Sequence, residues 1–191
     1  MDYKLRQVDG EELRGIYRYM RRDFQAAERI PFALILRAIR RGVMECFTVE
    51  DELGYAYGYM IATVKSVYGY VLLNYFAIAP RHRGEGVGSA ALELLAERYS
   101  DRQGIIVELS EFPGEEELTR SRREFYQSNG YRDVPARYML AGVHTEIMEH
   151  PIRSRERVAE VIHRVIPDIY SNIMPEIPRR RIVKIKRHKA N

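Results

Sequence analysis

Cysteine is nearly absent. Cys46 is the single one in 191 residues, so no internal disulfide and no Cys-rich metal site can form. Its neighbours Val43, Met44 and Phe47 mark it as a buried thiol rather than a nucleophile. The five histidines, His82, His144, His150, His163 and His188, show no ligand spacing, and no catalytic metal is expected. No apolar run approaches the ~20 residues that a membrane-spanning helix needs; the longest, Ile30 to Ile39 and Tyr68 to Ile78, are short or interrupted. Met1 to Gln7 has neither the basic start nor the apolar core of a signal peptide, and the expected location is the cytoplasm. With 46% hydrophobic and 30% charged residues, the composition excludes disordered, fibrous and collagenous classes. At ~150 residues per domain, the length corresponds to one domain plus an appendage.

The net charge of +4 is unevenly spread. Residues 1–150 hold 20 Lys+Arg against 23 Asp+Glu, a balance of −3, and residues 151–191 hold 11 against 4, a balance of +7. The basicity therefore belongs to the tail, above all to Arg179, Arg180, Arg181, Lys184, Lys186, Arg187 and Lys189. This stretch lacks aromatics that could stack on bases, so a solvated basic end is expected in preference to a nucleic-acid contact.

Apolar periodicity predicts a strand over Tyr3–Val8 and then two helices. The first carries Leu13, Ile16, Tyr17 and Met20, and the second runs from Pro31 to Gly42. Three β segments follow, Val43–Glu50, Tyr55–Val64 and Tyr70–Ala79, joined by short turns into an antiparallel meander. A helix bearing Ala91, Leu92, Leu94 and Leu95 then leads to the apolar strand Ile105–Leu109, expected to return parallel to the strand before the helix. Glu115 to Gly130 reads as a further helix. Tyr131–Leu140 and Val143–His150 read as two strands, and Pro135 signals a bulge or an edge. From residue 151 the tail carries a helical face of Val158, Val161, Ile162, Val165, Ile166 and Ile169. That face must be covered by this chain's own domain or by a partner subunit, and the sequence does not choose.

The most specific signal is Phe76-Ala-Ile-Ala-Pro-Arg-His-Arg-Gly-Glu-Gly-Val-Gly-Ser89, a strand, a glycine-bearing loop and a helix start. Residues without Cβ let backbone amides approach a phosphate, and a helix N-terminus adds unsatisfied N–H donors. A tight turn with no ligand is the plain alternative. A nucleoside-triphosphate loop needs Lys-Ser/Thr after its glycines, and none follows here. A dinucleotide fingerprint fits the spacing of Gly84, Gly86 and Ser89, with Glu108 about twenty residues on. Its surroundings are wrong, because these glycines follow the fourth strand of a mainly antiparallel run.

Arg83, Gly86 and Gly88 meet Arg-x-x-Gly-x-Gly, and Phe125-Tyr126-x-x-x-Gly130-Tyr131 supplies a second spaced motif. With the order β-α-α-β-β-β-α-β-α-β-β over residues 1–150, the chain resembles the GNAT acyltransferase family. The resemblance implies an α/β (α+β) fold whose mixed, mainly antiparallel twisted sheet is splayed at its centre, with helices on both faces. It divides the chain into a GNAT domain, 1–150, and a C-terminal helical extension with a basic tail, 151–191. It also implies acetyl-CoA as cosubstrate, its pyrophosphate held by Arg83, Gly84, Glu85, Gly86, Val87, Gly88 and Ser89, and its pantetheine arm paired with the backbone of Ala77 and Ile78. Tyr126 takes the part of the general acid, with core packing as its other reading. Glu108, or Glu111 just beyond, is the candidate base.

The expected reaction is acetyl transfer to a primary amine, with a small molecule preferred over a protein as acceptor. A homodimer through the extension is one of the two ways of covering its apolar face, and no nucleic-acid or membrane partner is expected. The other class of function is a non-catalytic CoA-binding or protein-interaction module on the same fold. The acceptor is expected to meet Met20 to Ile39 and the hairpin end at Tyr55 to Tyr59. Where many family members have Asn and Ala six and three residues before the motif's Phe, this chain has Thr119 and Arg122, flanked by Arg120 and Arg123. These arginines are expected to pair with Glu115 to Glu117 and Glu124, or else to hold a CoA phosphate or a substrate carboxylate.

Overall fold

A computed structural model describes residues 2–140, 142–153, 158–175 and 183–186. The elements are β1 (Tyr3–Gln7), α1 (Leu13–Asp23), α2 (Phe32–Arg40), β2 (Met44–Asp51), β3 (Ala56–Thr63), β4 (Tyr70–Ile78), α3 (Val87–Arg98), β5 (Gly104–Glu111), α4 (Glu116–Ser128), β6 (Arg132–Leu140), β7 (Val143–Pro151), α5 (Val158–Ile173) and β8 (Val183–Lys186). A 3-10 turn over Pro80–His82 links β4 to the loop before α3. The sheet order is β1-β2-β3-β4-β5-β7-β6-β8. Every neighbouring pair is antiparallel except β4 and β5.

Helices cover both faces, which is why the central strands read as near-continuous apolar runs rather than as an alternation. One core packs Leu13, Ile16 and Met20 of α1, Ile35 of α2, and Ile162, Ile166, Ile169 and Ile173 of α5 against Ile61, Leu72, Ile106 and Ile147. The other packs Val87, Ala91, Leu92 and Leu95 of α3 against Val71, Leu73, Ile105 and Val107. Successive residues of β4 and β5 thus feed opposite cores, as the two-residue period of a strand requires. Cys46 is fully buried in the first core, where desolvation pushes its thiol up to about 12, and so it is inert. The start of α1 is held by Asp9, whose Oδ1 accepts from the N–H groups of Glu11 and Glu12 at 2.9 and 3.0 Å.

The apolar face of α5 is covered by this chain's own sheet. The helix is also tied to the β3–β4 turn, where Val67 N–H donates to Asp168 Oδ2 at 3.0 Å and Asn172 Nδ2 donates to Lys65 O at 3.3 Å. A partner copy therefore has no claim on that face. Pro135 sits at a bulge, with the β6–β7 register shifting between Val134 and Arg137. β8 has no counterpart in the sequence reading. Four residues of the basic stretch extend the sheet edge beside Arg137–Leu140, while Arg179, Arg180, Arg181, Arg187 and Lys189 lie outside the described residues.

What positions the site is the parting of β4 from β5. Their parallel pairing runs only from Tyr70↔Gly104 to Leu73↔Val107, although β4 continues to Ile78 and β5 to Glu111. At the parting point Ile61 pairs Tyr75 and Ala62 pairs Leu73, so Asn74 is the extra residue of a bulge in β4. A bulge bends its strand and sharpens the local twist, and here it swings β4 away from β5. Beyond it, β5 keeps pairing β7 as far as Glu111↔His144.

Candidate active site

The gap opens into a cavity of about 920 Å³ lined by β4 from Leu73 to Ile78, the loop glycines 84, 86 and 88, Ser89, Glu108, Arg122 and Tyr126. Residues as far apart in sequence as Leu73 and Tyr126 thus share one space. Within it, β4 offers an unpaired edge. Ala79 N–H donates to Tyr57 O on β3 at 2.8 Å, and a Cβ at Gly58 of β3 would lie 2.4 Å from Ala77 O. By strand alternation the backbone groups of Ala77 face β3, and those of Phe76 and Ile78 face the gap. This corrects the expected pair: Ile78 is placed to meet a ligand amide through its backbone, Ala77 is not, and Phe76 takes its place. The Ile78 carbonyl itself accepts from Arg83 Nε at 3.1 Å, so its free gap-facing group is the N–H.

The loop after β4 depends on glycine at two points, since Gly84 and Gly86 both have φ of +81°, a left-handed conformation that side chains with Cβ resist. Gly86 caps α3, and the first intrahelical bond runs from Ala90 N–H to Gly86 O. The amides of Val87, Gly88 and Ser89 are left for another acceptor. Val87 turns its side chain into the core and anchors the helix start. Gly88 has a second duty, because a Cβ there would stand 3.1 Å from the Phe125 ring, so the two sequence motifs meet at this contact. Glu85 is directed sideways to His82 Nδ1 at 3.1 Å.

Tyr126 lies in the last turns of α4, its ring edge-on to Phe125 and Tyr131 at centroid distances of 5.4 and 5.1 Å. Loss of water pushes its phenol up to about 12, against a smaller opposing pull from the Arg122 charge. Glu108 reaches the cavity from β5. Tyr138 of β6 donates to its Oε1, and Tyr170 of α5 donates to its Oε2 at 2.7 Å. Desolvation raises its carboxyl to about 7, with the Tyr170 hydrogen bond acting the other way. Glu111, the other candidate base, is not among the residues that line the cavity.

The arginines of α4 divide. Arg120 pairs with Glu117 at 2.6 Å and approaches Glu124 at 4.0 Å, as expected. Arg123 turns instead to Asp133 and Glu146. Arg122 lines the cavity and forms no ion pair among the described residues. At the far end the α1–α2 segment contributes Arg22, Asp23, Phe24 and Glu28, as the expected acceptor region. No residue of the Tyr55–Tyr59 hairpin end lines the cavity; Tyr55 and Tyr57 pack behind His82, which does. Sequence reading missed Phe76, Asn74, Tyr138 and Tyr170. A hydroxyl on the apolar face of α5 was the available signal for Tyr170, since a buried phenol needs a partner.

Residues 43–133 match the family model of the acetyltransferase (GNAT) domain. Among solved structures, the chain is similar to spermidine N-acetyltransferase from Vibrio cholerae in complex with CoA and spermine, with a TM-score of 0.61 at 14% identity, covering 78% of this chain and 95% of that one. It is similar also to the dodecameric structure of that Vibrio cholerae enzyme in an intermediate state, with a TM-score of 0.58 at 14% identity over 78% and 93%. Nourseothricin acetyltransferase aligns with a TM-score of 0.48 at 18% identity, over 59% and 67%. No curated protein matched the sequence. Likeness to the two Vibrio cholerae structures at 14% identity speaks to the fold, a mostly antiparallel sheet with helices on both faces. No described helix is long and apolar enough to cross a membrane.

Proposed function

With residues 43–133 matching the family model of the acetyltransferase (GNAT) domain, we propose that this chain moves an acetyl group from acetyl-CoA to a primary amine by direct attack in a ternary complex. The observation that carries this reading is the single cavity in which the β4 edge, the α3 N-terminus, Glu108 and Tyr126 converge. The residues suit the cosubstrate. Amides of Val87, Gly88 and Ser89 with the helix dipole receive a pyrophosphate, the Gly84–Gly86 loop lets it approach, and Arg83 and Arg122 add positive charge. The pantetheine arm takes the place beside β4 that β5 vacates and pairs its amides with the gap-facing groups of Phe76, while Ile78 keeps its N–H for the reacting carbonyl.

Ile78 N–H is the donor for the oxyanion that develops when the amine attacks the thioester carbonyl. Glu108 takes the ammonium proton; a carboxyl titrating near 7 is half-ionised at neutral pH and is basic enough to be useful. Tyr126 stays protonated and donates to the departing sulfur. The acceptor is a small amine. Glu28 and Glu108 put carboxylates on the cavity wall to meet a cation, Asp23 being paired with Arg22 at 2.8 Å, and the structurally similar Vibrio cholerae enzyme was seen with spermine. The enzyme works in the cytoplasm, and any homodimer forms through surfaces other than the buried face of α5.

Thiol release from acetyl-CoA, followed over a panel of diamines, polyamines, aminoglycosides, amino acids and peptides, tests the proposal. Turnover with at least one small amine is expected, together with a thermal shift on adding CoA alone. Binding of CoA without turnover on any amine would overturn the enzymatic reading, and activity confined to intact proteins would overturn the choice of acceptor.

A further inference from the structure

The family match ends at residue 133, yet Glu108 is gripped by two residues beyond it. Tyr138 comes from β6 and Tyr170 from α5, each 2% exposed and each embedded in the apolar core beneath the cavity. Their hydroxyls donate to different oxygens of the same carboxylate. We propose that Tyr170, with Tyr138, is a positioning residue for acyl transfer that fixes the Glu108 carboxylate toward the cavity, so that α5 completes an active site the GNAT domain alone leaves unfinished. This rests on the reading of Glu108 as the base.

A carboxylate offers about four lone-pair directions. Two are taken by the tyrosines, and the others remain for an incoming ammonium. A glutamate has three side-chain torsions, and holding it without such partners costs rotamer entropy at each encounter. Both rings are packed in the core, which limits the directions their hydroxyls can take. The titratable groups that face Glu108 are Tyr138 from β6, Tyr170 from α5 and Tyr75 from β4, whose own phenol is raised in part by the Glu108 charge. No basic side chain among the described residues hydrogen-bonds to it. Burial therefore disfavours the ionised form and the Tyr170 hydrogen bond favours it; the Tyr138 hydroxyl donates to the other oxygen of the same carboxylate.

The test compares wild type, Tyr170→Phe, Tyr138→Phe and Glu108→Gln in two measurements: titration of the carboxyl by NMR in ¹³C-glutamate-labelled protein, and the pH profile of kcat/KM. Glu108→Gln identifies the resonance and removes the acidic limb. In Tyr170→Phe the loss of a donor to the charged form is expected to raise the carboxyl midpoint by about one pH unit, so that kcat/KM falls about tenfold near pH 6 and recovers toward pH 9. Acyl-CoA affinity should stay within about twofold. Should Tyr170→Phe fail to fold, Tyr138→Phe carries the same expectation. An unchanged midpoint in folded protein overturns the proposal, as does a pH-independent loss accompanied by weaker acyl-CoA binding. If the midpoint moves while wild type acetylates no amine, the grip on Glu108 stands and the acyl-transfer reading falls.

Discussion

Replacing Tyr126 by Phe removes one hydroxyl and keeps the ring that packs between Phe125 and Tyr131. Burial holds the phenol at about 12, whereas a leaving thiolate resembles cysteine at ~8.5. Full proton transfer to sulfur is thus uphill by about 3.5 decades, or ~5 kcal/mol. Tyr126 must help by donating a hydrogen bond to charge as it develops rather than by surrendering its proton early. A hydrogen bond to a charged group contributes about 1.5–3 kcal/mol, which converts to roughly 10- to 150-fold in kcat. The acyl-CoA Kd should move by less than about twofold, because little volume is lost. A second consequence separates this tyrosine from one exposed to water. It remains protonated through pH 10, so the wild-type kcat profile should stay level from about pH 8 to 10. The assay is thiol release under conditions where chemistry limits the rate, with acyl-CoA affinity measured separately. Full turnover in Tyr126→Phe would refute the acid assignment. A falling limb near pH 9 that vanishes in the variant would refute the claim that the phenol is desolvated.

Gly86→Val should weaken acyl-CoA binding at least about tenfold, read by calorimetry, because a β-branched residue is forced to φ of +81° at a cost of roughly 1–2 kcal/mol. Gly15→Ala is the matched control, lying in α1 with no positive φ and open space where a Cβ would stand, and should be neutral or slightly stabilising. Ile169→Ala empties a fully buried position of α5 and should destabilise by about 2–5 kcal/mol in urea unfolding; a loss below ~1 kcal/mol would mean that α5 is not docked as described. Glu108 titrates at about 7 when folded against 4.5 as its ordinary value. The folded state therefore binds more protons between those values, and the Glu108 contribution to stability falls as pH rises through that window. The stability of Glu108→Gln relative to wild type should accordingly climb between pH 4.5 and 7 and level off above, as measured by urea unfolding across pH.

Helices, strands and the loop motif were legible because their signals are local. Apolar periodicity marked α1, α2, α3 and the meander, and Gly84 and Gly86 announced a turn that only residues without Cβ enter easily. Pro135 announced a bulge for the same kind of reason, since it cannot donate to a ladder. The Arg83–Ser89 loop and the Phe125–Tyr126 pair could be named as site elements from spacing, and both line or adjoin the cavity. Less visible was which backbone groups point into it. Ala77 and Phe76 are indistinguishable until the register with β3 is known, because a shift of one residue reverses every direction.

The amino-acid sequence by itself determined the element order, the glycine-dependent loop, the buried character of Cys46 and the identity of Tyr126 as a motif residue. Each depends on steric limits or periodicities that act within a few residues. Tertiary structure alone decided that Asn74 bulges and parts β4 from β5, that α5 covers its own sheet instead of a partner, and that Arg122 faces the cavity while Arg120 and Arg123 turn to other acids. It also decided the environment of Glu108. Tyr138 and Tyr170 stand 30 and 62 residues away, and a carboxylate's proton affinity is set by what surrounds it in space, a quantity that no window of neighbouring residues contains.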